Sequence, residues 1–266
     1  MKLDFCSLSS GSSGNCYYLG NEFQGILIDA GISGTAIRKT LKKLGISMQT
    51  IMGVLITHNH TDHIKGLFQL TSKNYLPVFT TPKIWKSIRS PKNNISNDCI
   101  REIGLQQKFH IGGFDIEAFP VFHDAPETIG FHICAGGKKI TIVTDLGHIC
   151  PTAAPYIKAA NLLVIESNYD EQMLVNGNYP HYLKKRIQSD RGHLGNHQTA
   201  AFLADNISDH LSHICLAHLS INNNTPERAL QTLQQTFSDR GISLNGQQRI
   251  SILNRKMPSA MITLID

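Results

Sequence analysis

At 266 residues, 41% hydrophobic and 17% charged, the chain has the composition of an ordinary globular protein and is long enough to bury a full core, which excludes disorder as the default. No segment approaches the roughly 18 consecutive apolar residues that cross a bilayer, and no apolar stretch of signal-peptide length follows Met1, so the expectation is a cytoplasmic protein with no membrane partner. Six scattered cysteines without a CxxC pair fit reduced thiols, and a formal charge of +5, with thirteen histidines left out, favours an anionic partner. Three basic clusters (Arg38 to Lys43, Lys83 to Lys92, and Lys184 to Arg186 with Arg191) read first as solvated helix faces.

In chain order, Leu3 and Phe5 open a strand-like run and Tyr17-Tyr18-Leu19 a second. Between them lies Ser-Ser-Gly-Ser-Ser-Gly-Asn15, a stretch with the composition of a flexible tether, but its place between two strands reads as a native loop. Gly25 to Ile28 is a short strand ending at Asp29, followed by Ile37, Leu41 and Leu44 at helical spacing with Gly45 as the stop. Ile51 to Thr57 is the next strand, and a helix begins around Ile64, Leu67 and Phe68. The pairs 108–111 with 114–121, and 131–134 with 139–144, flank Gly-Gly turns and read as hairpins. Leu162 to Ile165 is a strand leading to Glu166, Tyr182 to Ile187 is helical, and Asn196 to Asn206 is a helix with Asn196 as its cap. Ile214 to Ala217 is a strand stopping at His218, and a helix opens at Pro226. Hairpins mixed with strand–helix units predict an α/β fold of two mixed β-sheets flanked by helices, as a single domain over 1–266. Polar residues recur just past strand ends, where α/β folds place their ligands.

The chemistry concentrates in Thr57-His-Asn-His-Thr-Asp-His63, where three imidazoles and a carboxylate fall within six positions at the mouth of a strand. Neutral imidazole and carboxylate suit zinc, manganese or iron, and alternate residues leaving a strand bring two ligands together.

HxHxDH after an apolar strand resembles the signature of the metallo-β-lactamase superfamily. The remainder of that pattern is matched by His123 in Val-Phe-His-Asp-Ala, Asp145 in Ile-Val-Thr-Asp-Leu-Gly and His218 in Leu-Ala-His-Leu-Ser, in the right order across nearly the whole chain. The resemblance implies an αββα sandwich and two divalent metal ions (zinc or manganese, with iron as a further possibility). One ion would be held by His58, His60 and His123, the other by Asp62, His63 and His218, with Asp145 bridging and Asp29 supporting the ligands from behind. Asp62 would also serve catalysis. Two such ions generate hydroxide at neutral pH and offset an anionic transition state, which implies a hydrolase.

Leu-Val-Ile-Glu166-Ser-Asn-Tyr-Asp170 and Gly192-His193-Leu-Gly-Asn196 are similar to segments of the phosphodiesterase branches, where Glu166 and His193 would together protonate the leaving oxygen. With SSGSSGNCYYL, HDAPETIGF at 123–131 and HLSINNNTPE from 218, the chain resembles the YycJ/WalJ (VicX) family. Its members are regarded as metal-dependent nucleases with 5′-exonuclease action on DNA, and they accompany a bacterial histidine-kinase system. Gly195 replaces an expected Ser, and His197 stands where an acidic residue is expected. The nucleic-acid partner implied is DNA in preference to RNA. Backbone contacts are expected from Ser12, Ser13, Asn15, Ser220, Asn222 and Asn223, since small residues and hydroxyls let a loop approach a phosphate. Two other readings stand beside this one: a glyoxalase-like thioesterase, and a non-catalytic metal-stabilised scaffold or regulator. Nothing in the sequence sets the oligomeric state.

Overall fold

The structure, a computed structural model, describes residues 2–89, 95–243 and 248–265. Six strands enter the first sheet in succession: β1 (Leu3–Ser9), β2 (Cys16–Gly20), β3 (Gly25–Ile28), β4 (Ile51–Leu55), β5 (Val78–Thr80) and β6 (Ile100–Glu102). The next seven form the second sheet: β7 (Lys108–Ile111), β8 (Phe114–Val121), β9 (Thr128–Ala135), β10 (Lys138–Val143), β11 (Leu162–Glu166), β12 (His213–Ala217) and β13 (Arg249–Ile252). The chain then returns to the first sheet as β14 (Ile262–Leu264), antiparallel to β1. Spatial order is β14-β1-β2-β3-β4-β5-β6 in one sheet and β13-β12-β11-β10-β9-β8-β7 in the other.

Each sheet changes character at one strand. β3 pairs antiparallel with β2 and parallel with β4. β10 likewise pairs antiparallel with β9 and parallel with β11. Both sheets are therefore mixed, as the hairpin and strand–helix signals predict, and the polar residues collect at the carboxyl ends of the strands around these two pivots.

Helices cover the outside: α1 (Gly34–Lys43), α2 (Thr61–Ile64), α3 (Leu67–Asn74), α4 (Pro82–Ile88), α5 (Ala154–Lys158), α6 (Glu171–Asn176), α7 (His181–Ile187), α8 (Asn196–Asn206) and α9 (Pro226–Asp239). β11 and β12 read as unbroken apolar runs because both their faces are buried. Leu162, Val164, Cys215 and Ala217 face the core shared by the two sheets. Leu163, Ile165, Ile214 and Leu216 face the outer core under α8 and α9, against Leu203, Leu233 and Phe237. Truncating one of these, such as Leu163, to alanine is expected to destabilise the fold by about 2–5 kcal/mol. All six cysteines are unpaired, and among the described residues no helix is long and apolar enough to cross a membrane.

Several boundaries differ from the expectation. β4 ends at Leu55 rather than Thr57, because the Thr57 N–H leaves the ladder for the Asp29 carboxylate at 2.9 Å. The helix expected from Ile64 is two pieces, α2 and α3. Asn196 is not a cap: Gly195 holds that place, and the Asn196 side chain is instead engaged by Ser167 and Asn224 at 2.6 and 2.8 Å. The SSGSSGN stretch is the loop between β1 and β2. Gly14 sits there at φ 154°, and an added Cβ would fall 2.7 Å from the Gly31 carbonyl, so a side chain there has neither the backbone angle nor the room.

Candidate metal centre and cleft

The ligand turn after β4 is held from three sides. Asn15, at the end of the Ser/Gly loop, donates its backbone N–H to the Asp62 carbonyl at 2.7 Å and accepts the Gly31 N–H at 2.7 Å. Its side-chain amide lies 2.9 Å from Nε2 of His63. Gly31 passes so close beneath this turn that a Cβ would lie 1.7 Å from the Asp62 carbonyl oxygen. The Ser10 hydroxyl bonds the buried Tyr17 hydroxyl at 2.9 Å and accepts the His218 N–H at 2.9 Å, so the same loop ties the first ligand segment to the last.

Four groups of candidate donors result, the donor atoms of each lying within 4.8 Å of one another. They are His58, His60 and His123; Asp62, His63 and His218; His58, His63 and Asp145; and Asp145 with Glu166, His193 and His218. The two triplets implied by the resemblance are thus brought together, and Asp145 stands between them. Its Oδ2 lies 3.2 Å from Nε2 of His63 and its Oδ1 3.7 Å from Nε2 of His123.

Hydrogen bonds behind the rings fix which nitrogen faces inward. Thr57 gives its only hydroxyl proton to Asp29, at 2.9 Å from Oδ2, so its oxygen accepts from Nδ1 of His58 at 3.0 Å and leaves Nε2 with a lone pair. His63 donates Nδ1–H to Asp29 at 2.7 Å, and His123 donates Nδ1–H to the Gly192 carbonyl at 2.9 Å. Asp29 is completely buried and bonds Nδ1 of His63 and the N–H and hydroxyl of Thr57. Such outer hydrogen bonds set tautomer and aim in metal sites.

The electrostatics require positive charge. Nε2 of His58, Nε2 of His218 and Oδ2 of Asp145 are buried without any hydrogen-bond partner. A buried polar atom left unmet costs about 1–3 kcal/mol, and each of these three belongs to a donor group that a cation would satisfy. Burial raises the Asp145 carboxyl, but His218 and His63 outweigh this and hold it well below the usual carboxylate range. Burial and the neighbouring His63 push His58 well below the usual imidazole value, which suits a neutral ligand. The donor set of imidazoles and carboxylates therefore fits divalent metal.

Glu166 has a second partner that the sequence did not indicate. Its Oε1 accepts Nδ1–H from both His193 and His218, each at 2.8 Å, while Oε2 accepts the Leu146 and Leu194 N–H groups at 3.0 and 3.3 Å. One carboxylate thus orients the expected acid and a candidate metal ligand at once. Burial lowers the His193 imidazole, yet Glu166 outweighs it and leaves the ring raised, hence protonated more readily. His193 lines a cavity of about 170 Å³ whose walls include Ser12, Asp124, Arg186 and Ser220.

The expected backbone contacts divide. Ser12 and Ser13 are exposed in the loop, and Ser12 and Ser220 reach the cavity. Asn15 is 0% exposed and props the ligand turn instead of facing the mouth. Asn223 is 1% exposed and also turned inward, with its N–H on Ser220 at 3.2 Å. Asn222 is exposed and donates at 2.9 Å to the hydroxyl of Tyr179, which itself lines the cavity. Asn15 and Asn223 are thus buried, while Asn222 stays exposed beside the cavity wall. Of the basic clusters, those on α1 and α4 sit on exposed helix faces, with Lys92 outside the described residues. The third reaches the centre: Arg191 donates to the His123 carbonyl at 2.9 Å, and Arg186 pairs with Asp124. Asp124 and Thr57, both absent from the sequence-derived site, flank its ligands directly in the chain.

A profile of the β-lactamase superfamily domain matches residues 24–214. Over 261 residues, 97% of this chain and 98% of the relative, the sequence is 38% identical to the exodeoxyribonuclease YycJ of Bacillus anthracis. Over 244 residues, 90% of each chain, it is 34% identical to the exodeoxyribonuclease WalJ of Streptococcus pneumoniae. The metallo-β-lactamase fold protein YhfI from Bacillus subtilis superposes with a TM-score of 0.72 over 97% of this chain and 98% of that one, at 15% identity, a likeness of fold alone.

Proposed function

We propose, since the chain belongs to the YycJ/WalJ family of the β-lactamase superfamily, that it is a metal-dependent nuclease hydrolysing the phosphodiester bonds of DNA from a 5′ end. It would use two divalent cations, zinc or manganese, in the cytoplasm. The observation that carries the reading is the buried Glu166 holding His193 by Nδ1 at 2.8 Å beside both donor groups. A sugar alkoxide leaves badly unless protonated, so phosphodiester cleavage needs such an acid, whereas a thiolate departs near neutral pH without one. The dyad thus favours phosphodiester over the thioester substrates of a glyoxalase-like enzyme. It also has no use in a scaffold.

The cations would supply hydroxide at neutral pH and offset charge developing on the phosphoryl oxygens. The protein's own residues do the rest. His58, His60 and His123 hold one cation and Asp62, His63 and His218 the other, with Asp145 between them. Asp62 has a further part in catalysis through its place at the mouth, 23% exposed. His193 delivers the proton to the leaving oxygen in the cavity. Ser12, Ser13 and Ser220 bind the backbone on its rim. The test is end-labelled DNA and RNA incubated with purified protein in zinc and in manganese, beside a glutathione thioester. Release of the label as mononucleotide from 5′-labelled DNA, with progressive shortening of 3′-labelled DNA, is the expected result; thioester turnover with intact DNA would reject the reading.

A further inference from the structure

A carboxylate outside the seven expected ligands stands beside the first histidine group. Asp124 follows His123, and its Oδ2 receives both Nε–H and Nη2–H of Arg186 from α7. Its Oδ1 is buried and has no hydrogen-bond partner. Nε2 of His123 lies 3.0 Å from that oxygen and Nε2 of His60 3.7 Å. Because His123 gives its Nδ1–H to the Gly192 carbonyl, its Nε2 carries a lone pair, so at 3.0 Å two electron-pair donors stand side by side with no proton between them, an arrangement that a shared cation would satisfy. Two donors bound at about 2.0–2.2 Å to one cation, roughly at right angles, stand ~3 Å apart. The spacing is that of neighbouring ligands.

We propose that Asp124 Oδ1 is a further oxygen donor to the cation held by His58, His60 and His123, and that Arg186 fixes it there through the carboxylate's other oxygen. The inference rests on the reading of that histidine group as a cation site. Without Asp124, the group offers three imidazoles and its share of Asp145. An added carboxylate makes it harder and more anionic, which favours manganese relative to zinc. A surface ion pair with Arg186 alone does not account for the geometry. Such pairs contribute about 0–1 kcal/mol and gain nothing from burying the second oxygen without a partner. Arg186 also joins the basic face of α7 to the centre, so the helix that lines the cavity positions a ligand.

The experiment uses full-length metal-free protein: wild type, Asp124→Asn and Arg186→Gln, each titrated calorimetrically with Mn²⁺ and with Zn²⁺. Visible absorption of the Co²⁺-loaded forms reads coordination number. Asp124→Asn is expected to lose at least tenfold in Mn²⁺ affinity at one site and less for Zn²⁺, and its Co²⁺ bands should intensify as one ligand is lost. Arg186→Gln retains the carboxylate and should lose less. Wild-type Mn²⁺ affinity and an unchanged Co²⁺ spectrum in Asp124→Asn overturn the proposal. Should that variant fail to fold, Asp124→Glu keeps the charge and moves the oxygen, and a Co²⁺ spectrum identical to wild type then overturns it. DNA hydrolysis by the wild type tests the nuclease reading separately. Protein that binds Mn²⁺ through Asp124 but cleaves no DNA rejects the nuclease and leaves the ligand standing.

Discussion

Filling the two donor groups should release protons from one and not from the other. His58 is pushed well below the usual imidazole value, first by burial and then by His63, and burial also lowers His123. Both are neutral at pH 7 and ready to bind. His63 is the opposite case: burial would lower it, but Asp29 and Asp145 outweigh that and hold it up at about 10. His218 is raised well above its usual value because Asp145, Asp62 and Glu166 together outweigh burial. In the metal-free protein the second group thus carries protons that a cation must displace. For His63 alone, the interval from pH 7 to about 10 is roughly three units, or about 4 kcal/mol and a ~10³-fold weaker apparent affinity at pH 7 than at high pH. The sign is fixed: a raised pKa keeps the proton on below it, so affinity climbs as pH rises. Calorimetry of His60→Ala protein, which retains the second group, in two buffers of different ionisation heat should show at least one proton released per cation at pH 7. Its affinity should rise tenfold or more per unit from pH 7 to 9. The first group, read in Asp62→Ala protein, should change little over that range. Buffer-independent heats, or a flat affinity for the second group, would refute this account of its electrostatics.

Four further outcomes follow from the same contacts. His193→Ala should lower turnover on DNA by ~10²–10⁴-fold while a nitrophenyl phosphodiester, whose leaving group departs unprotonated, loses far less; equal losses would make His193 a structural residue. Glu166→Gln should be worse than a mild version of that change, because Oε2 faces two N–H groups and Oε1 two imidazole N–H groups, so the amide NH₂ meets donors whichever way it turns. Cation content and melting temperature should both fall, and a variant with full cation occupancy would contradict the shared role. Gly31→Ala, with its Cβ 1.7 Å from the Asp62 carbonyl, must move the ligand turn and is expected to lose cation binding along with stability. Ser12→Ala with Ser13→Ala should raise the Michaelis constant for DNA more than for the small diester, and equal responses would remove the loop from backbone binding.

The clustering of the candidate donors was legible because their chemistry is written at strand ends. HxHxDH occupies consecutive positions of one strand–turn–helix, and His123, Asp145 and His218 each end an apolar run that periodicity detects. What escaped is set by contacts between distant segments. The strand pattern places Asn15 in a loop near the site, but only packing against Asp62 and Gly31 shows it buried beneath the turn. The Glu166 carboxylate could be paired with His193 from the motifs, whereas its bond to His218 depends on β11 lying parallel to β12. β5 and β6 have three residues each and no period to read. β14 exists because Leu264 finds Leu3 at the far end of the chain.

The centre also explains an otherwise unfavourable backbone. Asp29, Asp145 and His218 follow β3, β10 and β12 with φ of 59°, 59° and 55°, a left-handed conformation that costs a residue with a Cβ about 1–2 kcal/mol. Asp29 and Asp145 stand at matching places, just past the pivot strand of each sheet, where the antiparallel half meets the parallel half. A glycine would relieve the strain at each point but would carry no oxygen or imidazole. The strained turn lifts the side chain out of the alternation of its strand and aims it across the end of the sandwich. Asp29 then meets His63 from behind, Asp145 meets it from the front, and His218 closes on Asp62 at 3.6 Å from the other sheet. Strain at functional sites persists only where surroundings over-determine it. Here the surroundings are buried hydrogen bonds: Thr57 holds Asp29, Ser10 and Glu166 hold His218, and Glu166 holds the N–H of Leu146 directly after Asp145, so the turns are fixed by the protein itself.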